Sequence, residues 1–330
     1  MPLLTKGIQE SRSETMMLQN TAVTIDLPYV PGFDWDGMLS FIAPRVISGV
    51  ESIQDNHYQR SFRINDCRGW FKVTDCPKRN SLHLKIYLDK GRKPPELIAL
   101  RVRSMFDLDT DMGPILQKFR KDPLLSPAIS AYSGLRLPGT WDPFEFTVRA
   151  ILGQQISVKA ATTLAGRVAT LCGPECTSEY PEGLATFFPT PEEICRSDIS
   201  GIGITSKRQA TIQGLASKIV DKKISLSAEQ GLKTFVDSFC ELPGIGPWTA
   251  HYVAMRALKI ADAFPDSDLG VKKALQENGK MPTQKQTIER AEAWRPWRAY
   301  ATLFLWKSLD LLREEKKNTL QKDVGNPYKP

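Results

Sequence analysis

The sequence predicts an α+β protein in which an antiparallel sheet domain precedes an all-helical region. Within residues 58–88, apolar residues recur at every second position, which is typical of strands with one buried face. Beyond residue 142, helix-capping signals and apolar residues spaced three and four apart predominate, which indicates helices. We therefore divide the chain into a tail (1–21), an α+β domain (22–110), a connection (111–141), a helical core (142–313) and a C-terminal tail (314–330).

The α+β domain is predicted to contain one helix and then a small sheet. Asp34 is placed to cap a helix that begins near Trp35. Strands follow where apolar and polar residues alternate, as in 82–88, and the polar, glycine- and proline-containing segments 66–69 and 77–80 are predicted to be turns between them. A second helix, over residues 97–106, is expected to pack on the sheet.

Prolines and capping signals divide the next part of the chain. Residues 109–141 contain four prolines and only short apolar groups, so we expect a connection with one or two short helices. Asp142, Pro143 and Glu145 then supply an N-cap, a first-turn proline and a capping-box partner for a helix. Ser157 is placed to cap the alanine-rich helix that follows.

Three further signals mark the remaining core helices. Capping boxes at 190–193 and 283–286 predict helix starts, and the apolar run 300–309 predicts a last, buried helix. A Gly-Ile-Gly turn at 201–203 precedes another helix. It could meet a phosphate, but a plain corner between helices is the favoured interpretation.

The strongest signals of function lie in the segment 227–276. Ser227 and Gln230 form a capping-box pattern, and apolar residues up to Phe239 recur with helical spacing. This pattern predicts an amphipathic helix that ends near Leu242, and a second helix is predicted from about Trp248.

A glycine-rich turn joins these two helices. Gly244 and Gly246 permit positive φ and a close approach of backbone to a ligand, and Pro247 suits a first helical turn. Free amides at the start of the second helix suit a phosphate, and such a contact grips DNA without reading its sequence. The alternative is that the turn merely reverses the chain between two core helices.

An acidic run follows the second helix. Asp268 precedes residues 269–275, which we predict to be a short helix with Asp268 at its N-cap, where a carboxylate is favoured as the anion. Capping alone would explain an aspartate there. Asp262 and Asp266 are nearby alternatives for a functional carboxylate.

Composition restricts the class of partner. The net charge of +7 favours a polyanion, of which nucleic acid is the leading candidate. The six cysteines form no C-x-x-C pair and there are only three histidines, so neither a zinc site nor an iron–sulfur cluster is expected. No signal peptide or membrane-spanning run is apparent, so we expect an intracellular (cytoplasmic or nucleoid) protein with reduced thiols.

Several ordered motifs resemble one family. They are Leu135-Arg136-Leu137-Pro138-Gly139, Phe144-Glu145 with Val148 to Gln154, Leu242 to Ala250, Tyr252, Ala254-Met255-Arg256, Asp268, and Trp294 to Tyr300. Over residues 28–310 this sequence resembles the helix-hairpin-helix glycosylase superfamily, and within it the AlkA-type DNA-3-methyladenine glycosylases II. The resemblance implies a TATA-binding-protein-like N-terminal sheet and a helical glycosylase core of two subdomains with a cleft between them.

The resemblance also implies residue roles. Asp268 matches the catalytic position, and the base pocket is expected to use aromatic faces, which attract cationic alkylated purines. A monovalent cation at the hairpin is implied, held by backbone carbonyls alone. The positions implied are Trp248, Tyr252 and Trp306 for the base pocket, Gly244, Ile245, Gly246, Trp248, Thr249 and Gln155 for DNA contacts, and Cys240, Leu242 and Ile245 for the cation carbonyls.

Three positions depart from the pattern or distinguish branches of the superfamily. Gln155 stands at the wedge position, where an aliphatic residue is usual, and Ile156 is a candidate to share that role. Lys307 stands where an AlkA-type enzyme often carries an aromatic residue. Trp248 stands where strand-cutting relatives place a lysine nucleophile.

The function expected from this resemblance is hydrolysis of the N-glycosidic bond of alkylated purines, 3-methyladenine and related bases, by a monomer that needs no cofactor. The expected partner is double-stranded DNA that contains such bases, flipped out of the helix. Two alternatives remain: a bifunctional oxidised-purine glycosylase/lyase, and a non-catalytic module that binds damaged DNA.

Overall fold

Five antiparallel strands and a series of helices form the part of the chain that the computed structural model describes, residues 22–64, 67–90, 95–177 and 179–324. Side chains are described for these residues except 90 and 314–324. The predicted tail at 1–21 lies outside the described residues. The strands are β1 (Val23–Pro28), β2 (Glu51–Gln54), β3 (His57–Ile64), β4 (Cys67–Cys76) and β5 (Ser81–Lys90), in the sheet order β1-β5-β4-β3-β2.

The alternating residues bury one face of this sheet, as predicted. Tyr58 and Phe62 of β3 and Leu84 of β5 are fully buried, and all neighbouring strands pair antiparallel. The pattern did not identify β1, which pairs with β5. In that six-residue strand only Leu27 is buried, so alternation is too short to show.

One predicted turn is partly wrong. Residues 67–69 belong to β4, and only the preceding residues 65 and 66, which lie outside the described residues, separate β3 from β4. A Cβ on Gly69 would lie 2.0 Å from the Tyr87 carbonyl oxygen, next to a register shift between Arg68 and Gly69. Gly69 therefore allows close approach of two strands rather than a turn.

Helices follow the sheet and continue to the end of the described chain. α1 precedes β2, α2 follows β5, α3 and α4 lie in the predicted connection, and the rest form the helical core. Their bounds are α1 Trp35–Ile42, α2 Pro95–Phe106, α3 Met112–Phe119, α4 Ser126–Ala131, α5 Pro143–Leu152, α6 Val158–Cys172, α7 Pro191–Arg196, α8 Ser206–Val220, α9 Leu232–Cys240, α10 Pro247–Arg256, α11 Leu269–Ala274, α12 Gln284–Ala291 and α13 Arg298–Val324.

The predicted caps are confirmed at most helix starts. Side chains of Asp34, Asp142 and Ser157 each accept an amide hydrogen bond from the first turn. Both partners of the capping boxes that begin at Thr190 and Thr283 are in place.

Two capping predictions were wrong. The carboxylate of Glu145 binds Arg60 of β3 at 2.6 Å instead of closing a box on Asp142, because both groups are buried and need each other as partners. The Ser227 side chain caps only a short 3-10 turn over 228–230. Gly231, at φ +77°, then separates that turn from α9.

The last helix is longer than predicted. The backbone of α13 remains helical to Val324, past the predicted boundary at residue 313, and residues 325–330 lie outside the described residues. Within the described ranges, no helix is both long and apolar enough to cross a membrane.

Candidate active site

The turn between α9 and α10 is fixed by its apolar side chains and by one glycine. Leu242 and Ile245 are buried, and the Ile245 amide donates to the Leu242 carbonyl at 3.0 Å. Gly244 has φ +88°, and a Cβ there would lie 2.1 Å from Oγ1 of Thr211. That hydroxyl itself donates to the Pro243 carbonyl. Only glycine fits this position.

The second glycine of the turn faces open space. Gly246 is the N-cap of α10, has φ −104°, and a Cβ there would meet nothing within 4 Å. α10 begins at Pro247, one residue before the predicted start. The amides of its first turn have no intrahelical acceptors, which is the arrangement that suits a phosphate group. The DNA contact there stays a prediction.

A glutamine from another loop braces this turn. The Nε2 amide of Gln154 donates to the Gly244 carbonyl and to Oγ1 of Thr249, each at 3.0 Å. Arg208 of α8 in turn donates to the Gln154 carbonyl at 2.7 Å. Sequence reasoning missed this brace. The Thr249 side chain is buried, so a DNA contact there would use its backbone amide.

The predicted wedge residue lies at the tip of the braced loop. Gln155 is exposed and has φ +58°, and Ile156 beside it is 37% exposed. Both residues follow Gln154, whose side chain contacts the hairpin turn. Which of them enters DNA stays a prediction.

Asp268 is held in one orientation by three donors. As the N-cap of α11, its Oδ1 accepts from the Val271 amide at 3.0 Å and from Nε1 of Trp306 at 2.9 Å. Its Oδ2 accepts from Nε1 of Trp248 at 3.1 Å. A carboxylate offers about four acceptor positions, so Oδ2 retains one. Asp268 can therefore cap α11 and also present its carboxylate to a cleft.

A glycine beside Asp268 permits this arrangement. A Cβ on Gly270 would lie 2.8 Å from Cδ1 of Trp306 and 3.0 Å from its Nε1. The indole of α13 therefore closes onto the first turn of α11 only because residue 270 has no side chain. The signal available in the sequence was a glycine in the first turn of a predicted helix.

The predicted aromatic residues meet in one cleft of about 580 Å³. Trp248 stacks on Tyr252 with ring centroids 5.1 Å apart and planes 19° from parallel. Trp306 meets Tyr252 edge to face with ring centroids 6.3 Å apart, and the Phe146 ring centroid lies 5.1 Å from that of Tyr252. These rings and Asp268 all line the cleft.

The same cleft is also lined by arginines, which sequence reasoning missed. Arg45, Arg149 and Arg256 all contribute to it. Burial lowers the pKa of Arg256 to about 10, so that guanidinium stays charged at neutral pH. It packs over Phe41 and Phe146, with its carbon 4.8 and 5.3 Å from the ring centroids. The positive charges of these arginines oppose the attraction that the aromatic rings are expected to exert on a cationic base.

The alternative acidic residues are engaged elsewhere. Asp262 forms salt bridges with Arg295 and Arg298, and Asp266 accepts from the Gln284 side chain. Of the three aspartates, Asp268 alone lines the cleft in the described structure.

Lys307 also lines the cleft. Its ammonium lies 5.1 Å from the Tyr132 ring centroid and 3.5 Å from Asp310.

Cys240, Leu242 and Ile245, whose carbonyls are predicted to hold the cation, lie at the end of α9 and in the turn that follows it. The Leu242 carbonyl already accepts the Ile245 amide, which leaves one of its two lone pairs for an ion. Among described residues, no cluster of three or more His, Cys, Asp or Glu side chains suits a metal. The cation stays a prediction.

Comparisons with known proteins place this arrangement in a family. Residues 24–142 match the AlkA N-terminal domain, and residues 148–299 match the HhH-GPD superfamily base excision DNA repair protein. DNA-3-methyladenine glycosylase 2 of Escherichia coli is 34% identical over 284 residues, which cover 85% of this chain and 95% of that protein.

A longer relative and a solved structure match as well. The Mycobacterium tuberculosis protein named "Probable bifunctional transcriptional activator/DNA repair enzyme AlkA" is 34% identical over 310 residues, and the match covers 94% of this chain but only 62% of that protein. The 3-methyladenine DNA-glycosylase of Archaeoglobus fulgidus superposes with a TM-score of 0.71 at 21% identity, over 86% of this chain and 97% of that one. This chain therefore belongs to the HhH-GPD superfamily of base excision DNA repair proteins, in the branch that carries the AlkA N-terminal domain.

Proposed function

We propose that this chain is a monofunctional DNA glycosylase that acts as a monomer on duplex DNA and removes alkylated purines such as 3-methyladenine. The observation that carries the proposal is the position of the Asp268 carboxylate. It faces the aromatic cleft, is held by the indoles of Trp248 and Trp306, and lies beside the helix that begins at the hairpin. Names of the relatives point to the same activity.

The hairpin and the cleft bind different parts of the DNA. The amides at the start of α10 hold the DNA backbone, and the loop tip at Gln155 fills the gap that the flipped nucleotide leaves. Extrusion costs a few kcal/mol, and least for a damaged pair. The target base then enters the cleft between the aromatic rings.

The chemical step is hydrolysis at C1′ of the sugar. The N-glycosidic bond breaks with its electron pair going to the alkylated base, which leaves neutral because it carried a positive charge. Asp268 stabilises the positive charge that develops on the sugar, and its free Oδ2 position orients the attacking water. Water adds to C1′ and releases one proton to the solvent, so the products are the free base and an abasic site.

The lyase alternative requires an amine at the reacting carbon, since strand cleavage proceeds through a Schiff base. Trp248 occupies the position at which the resemblance places that lysine. Lys307 is the lysine that lines the cleft in the described structure. Borohydride treatment of an enzyme–DNA mixture is expected to trap no covalent adduct, and an adduct would favour the lyase.

Release of free base from methylated duplex DNA tests the proposal. Asp268→Asn keeps an N-cap for α11 and an acceptor for one indole, but removes the charge. We expect the rate of release to fall about 100-fold or more, the scale of losing one electrostatic contact to the transition state. Asp266→Asn, an aspartate outside the cleft, is the matched control and should retain the rate of wild type. If wild type and Asp268→Asn both release base no faster than it is lost spontaneously from the same DNA, the module that only binds damaged DNA is favoured.

A further inference from the structure

The loop that joins α5 to α6, residues 153–157, has a strained tip. Gln155 stands at this tip with φ +58°, and its side chain is exposed. A residue other than glycine is strained at such a φ and keeps it only where its surroundings hold it there. The contacts of neighbouring residues therefore decide whether the tip keeps this conformation.

Gln154, the residue before the tip, makes three such contacts. Its carbonyl, which belongs to the peptide bond with Gln155, accepts from Nη2 of Arg208 at 2.7 Å. Its side-chain amide donates to the Gly244 carbonyl and to Oγ1 of Thr249, each at 3.0 Å. The loop is thus joined to α8 through its backbone and to the hairpin through a side chain.

The two hairpin partners of Gln154 lie on either side of the start of α10. Gly244 is in the turn before Pro247, the first residue of that helix, and Thr249 is in its first turn. The loop tip therefore has a fixed position relative to the proposed site for the DNA backbone. A loop that is ordered before binding loses less conformational freedom when its ligand arrives, which favours binding.

We propose that Gln154 is a positioning residue, which holds the loop tip against the hairpin so that the tip enters the DNA when the hairpin binds the backbone. This inference rests on the proposed function and adds to it a residue that acts through Gln155. Backbone contacts bind any duplex, since they carry no sequence information. Only DNA with a gap in its base stack can receive the tip without unstacking a base. Loss of the brace should therefore weaken binding to gapped DNA more than to intact DNA.

Gln154→Met tests the proposal because it keeps a side chain of similar length and removes both side-chain donors. Fluorescence anisotropy gives the Kd for an intact duplex and for the same duplex with an abasic-site analogue. We expect the ratio of these Kd values, intact over abasic, to fall about three- to tenfold, the scale of one neutral hydrogen bond. A loss of folded protein weakens binding to both duplexes alike and cancels in this ratio. Gln213→Met, which removes a donor to the Ser197 carbonyl, is the matched control and should keep the ratio of wild type.

Two variants at the buried Thr249 separate the hydrogen bond from packing. Thr249→Val keeps the shape of the side chain and removes the acceptor, so it should lower the ratio. Thr249→Ser keeps the hydroxyl and removes only a methyl group, so it should keep the ratio of wild type. A ratio that does not fall in Gln154→Met, or that falls equally in Thr249→Ser and Thr249→Val, overturns the positioning role. Wild type that binds both duplexes equally and releases no base would instead overturn the proposed function itself.

Discussion

The indole nitrogen of Trp306 makes the shorter of the two indole contacts with Asp268, at 2.9 Å against 3.1 Å for Trp248. Trp306→Phe keeps an aromatic ring in the cleft and removes this donor. A hydrogen bond to an ionised group contributes about 1.5–3 kcal/mol, so we expect base release in a single turnover to slow about 10- to 100-fold. Trp70→Phe, in the N-terminal sheet, is the control. If Trp306→Phe releases base at the wild-type rate, Asp268 does not depend on this indole for its orientation.

At the residue scale the sequence identified the side chains but not their contacts. The match to family motifs named Trp248, Trp306 and Asp268, and the structure brings all three to one cleft. It did not predict that both indole N–H groups point at the carboxylate. That contact joins positions 38 residues apart and depends on Gly270 letting α13 approach α11, a tertiary distance that neither periodicity nor spacing encodes.

The two glycines of the hairpin differ in what they contribute to that element. At Gly244, alanine would need a left-handed backbone, which costs about 1–2 kcal/mol, and would clash with Thr211. We expect Gly244→Ala to lower the free energy of unfolding by at least about 2 kcal/mol. At Gly246 the backbone has negative φ and open space, so Gly246→Ala should leave stability within about 0.5 kcal/mol of wild type.

DNA binding separates the two variants further. The methyl group of Gly246→Ala would stand at the exposed start of α10, where we propose that phosphate binds. We therefore expect its Kd for duplex DNA with an abasic-site analogue to rise about tenfold while its unfolding curve stays close to wild type. Urea titration and fluorescence anisotropy measure the two quantities. Unchanged affinity in Gly246→Ala would show that DNA does not contact the turn at Gly246.

Element starts were the most predictable feature of this fold, because a cap is a local interaction between residues two or three apart. Asp34, Thr190 and Thr283 all act as the sequence indicates. Glu145 has the same local pattern, but burial against Arg60 outweighs the box. Gln154 carried no local signal at all, since its partners lie 90 and 95 residues further along the chain.

At the scale of the whole molecule, two arginines of β3 join the sheet to the helical core. Arg60 is buried and pairs with Glu145 of α5 and with Glu51. Arg63 holds Glu193 of α7 with two hydrogen bonds, at 2.8 and 2.6 Å. The sequence predicted the sheet and the helices separately. It could not predict these pairs, because opposite charges 85 and 130 residues apart have many other possible partners.

The Arg63–Glu193 pair gives the stability of the molecule a defined dependence on pH. Burial acts to raise the pKa of Glu193, but the hydrogen bonds from Arg63 and from the Thr190 amide outweigh it, so the pKa in the folded protein lies below the ordinary value of 4.5. A carboxyl group whose pKa is depressed in the folded protein stabilises it at pH values above the pKa of the unfolded chain. That stability is lost as the pH falls through the pKa of the folded protein.

Glu193→Gln keeps the capping box but removes the charge, so it should lower the free energy of unfolding by about 1 kcal/mol at neutral pH. Urea titrations should show this difference from wild type shrinking as the pH falls below about 4, whereas Glu192→Gln, which neutralises the exposed carboxylate beside it, should track wild type throughout. A difference that stays constant down to the acid limit would mean that the charge of Glu193 does not hold the sheet to the core.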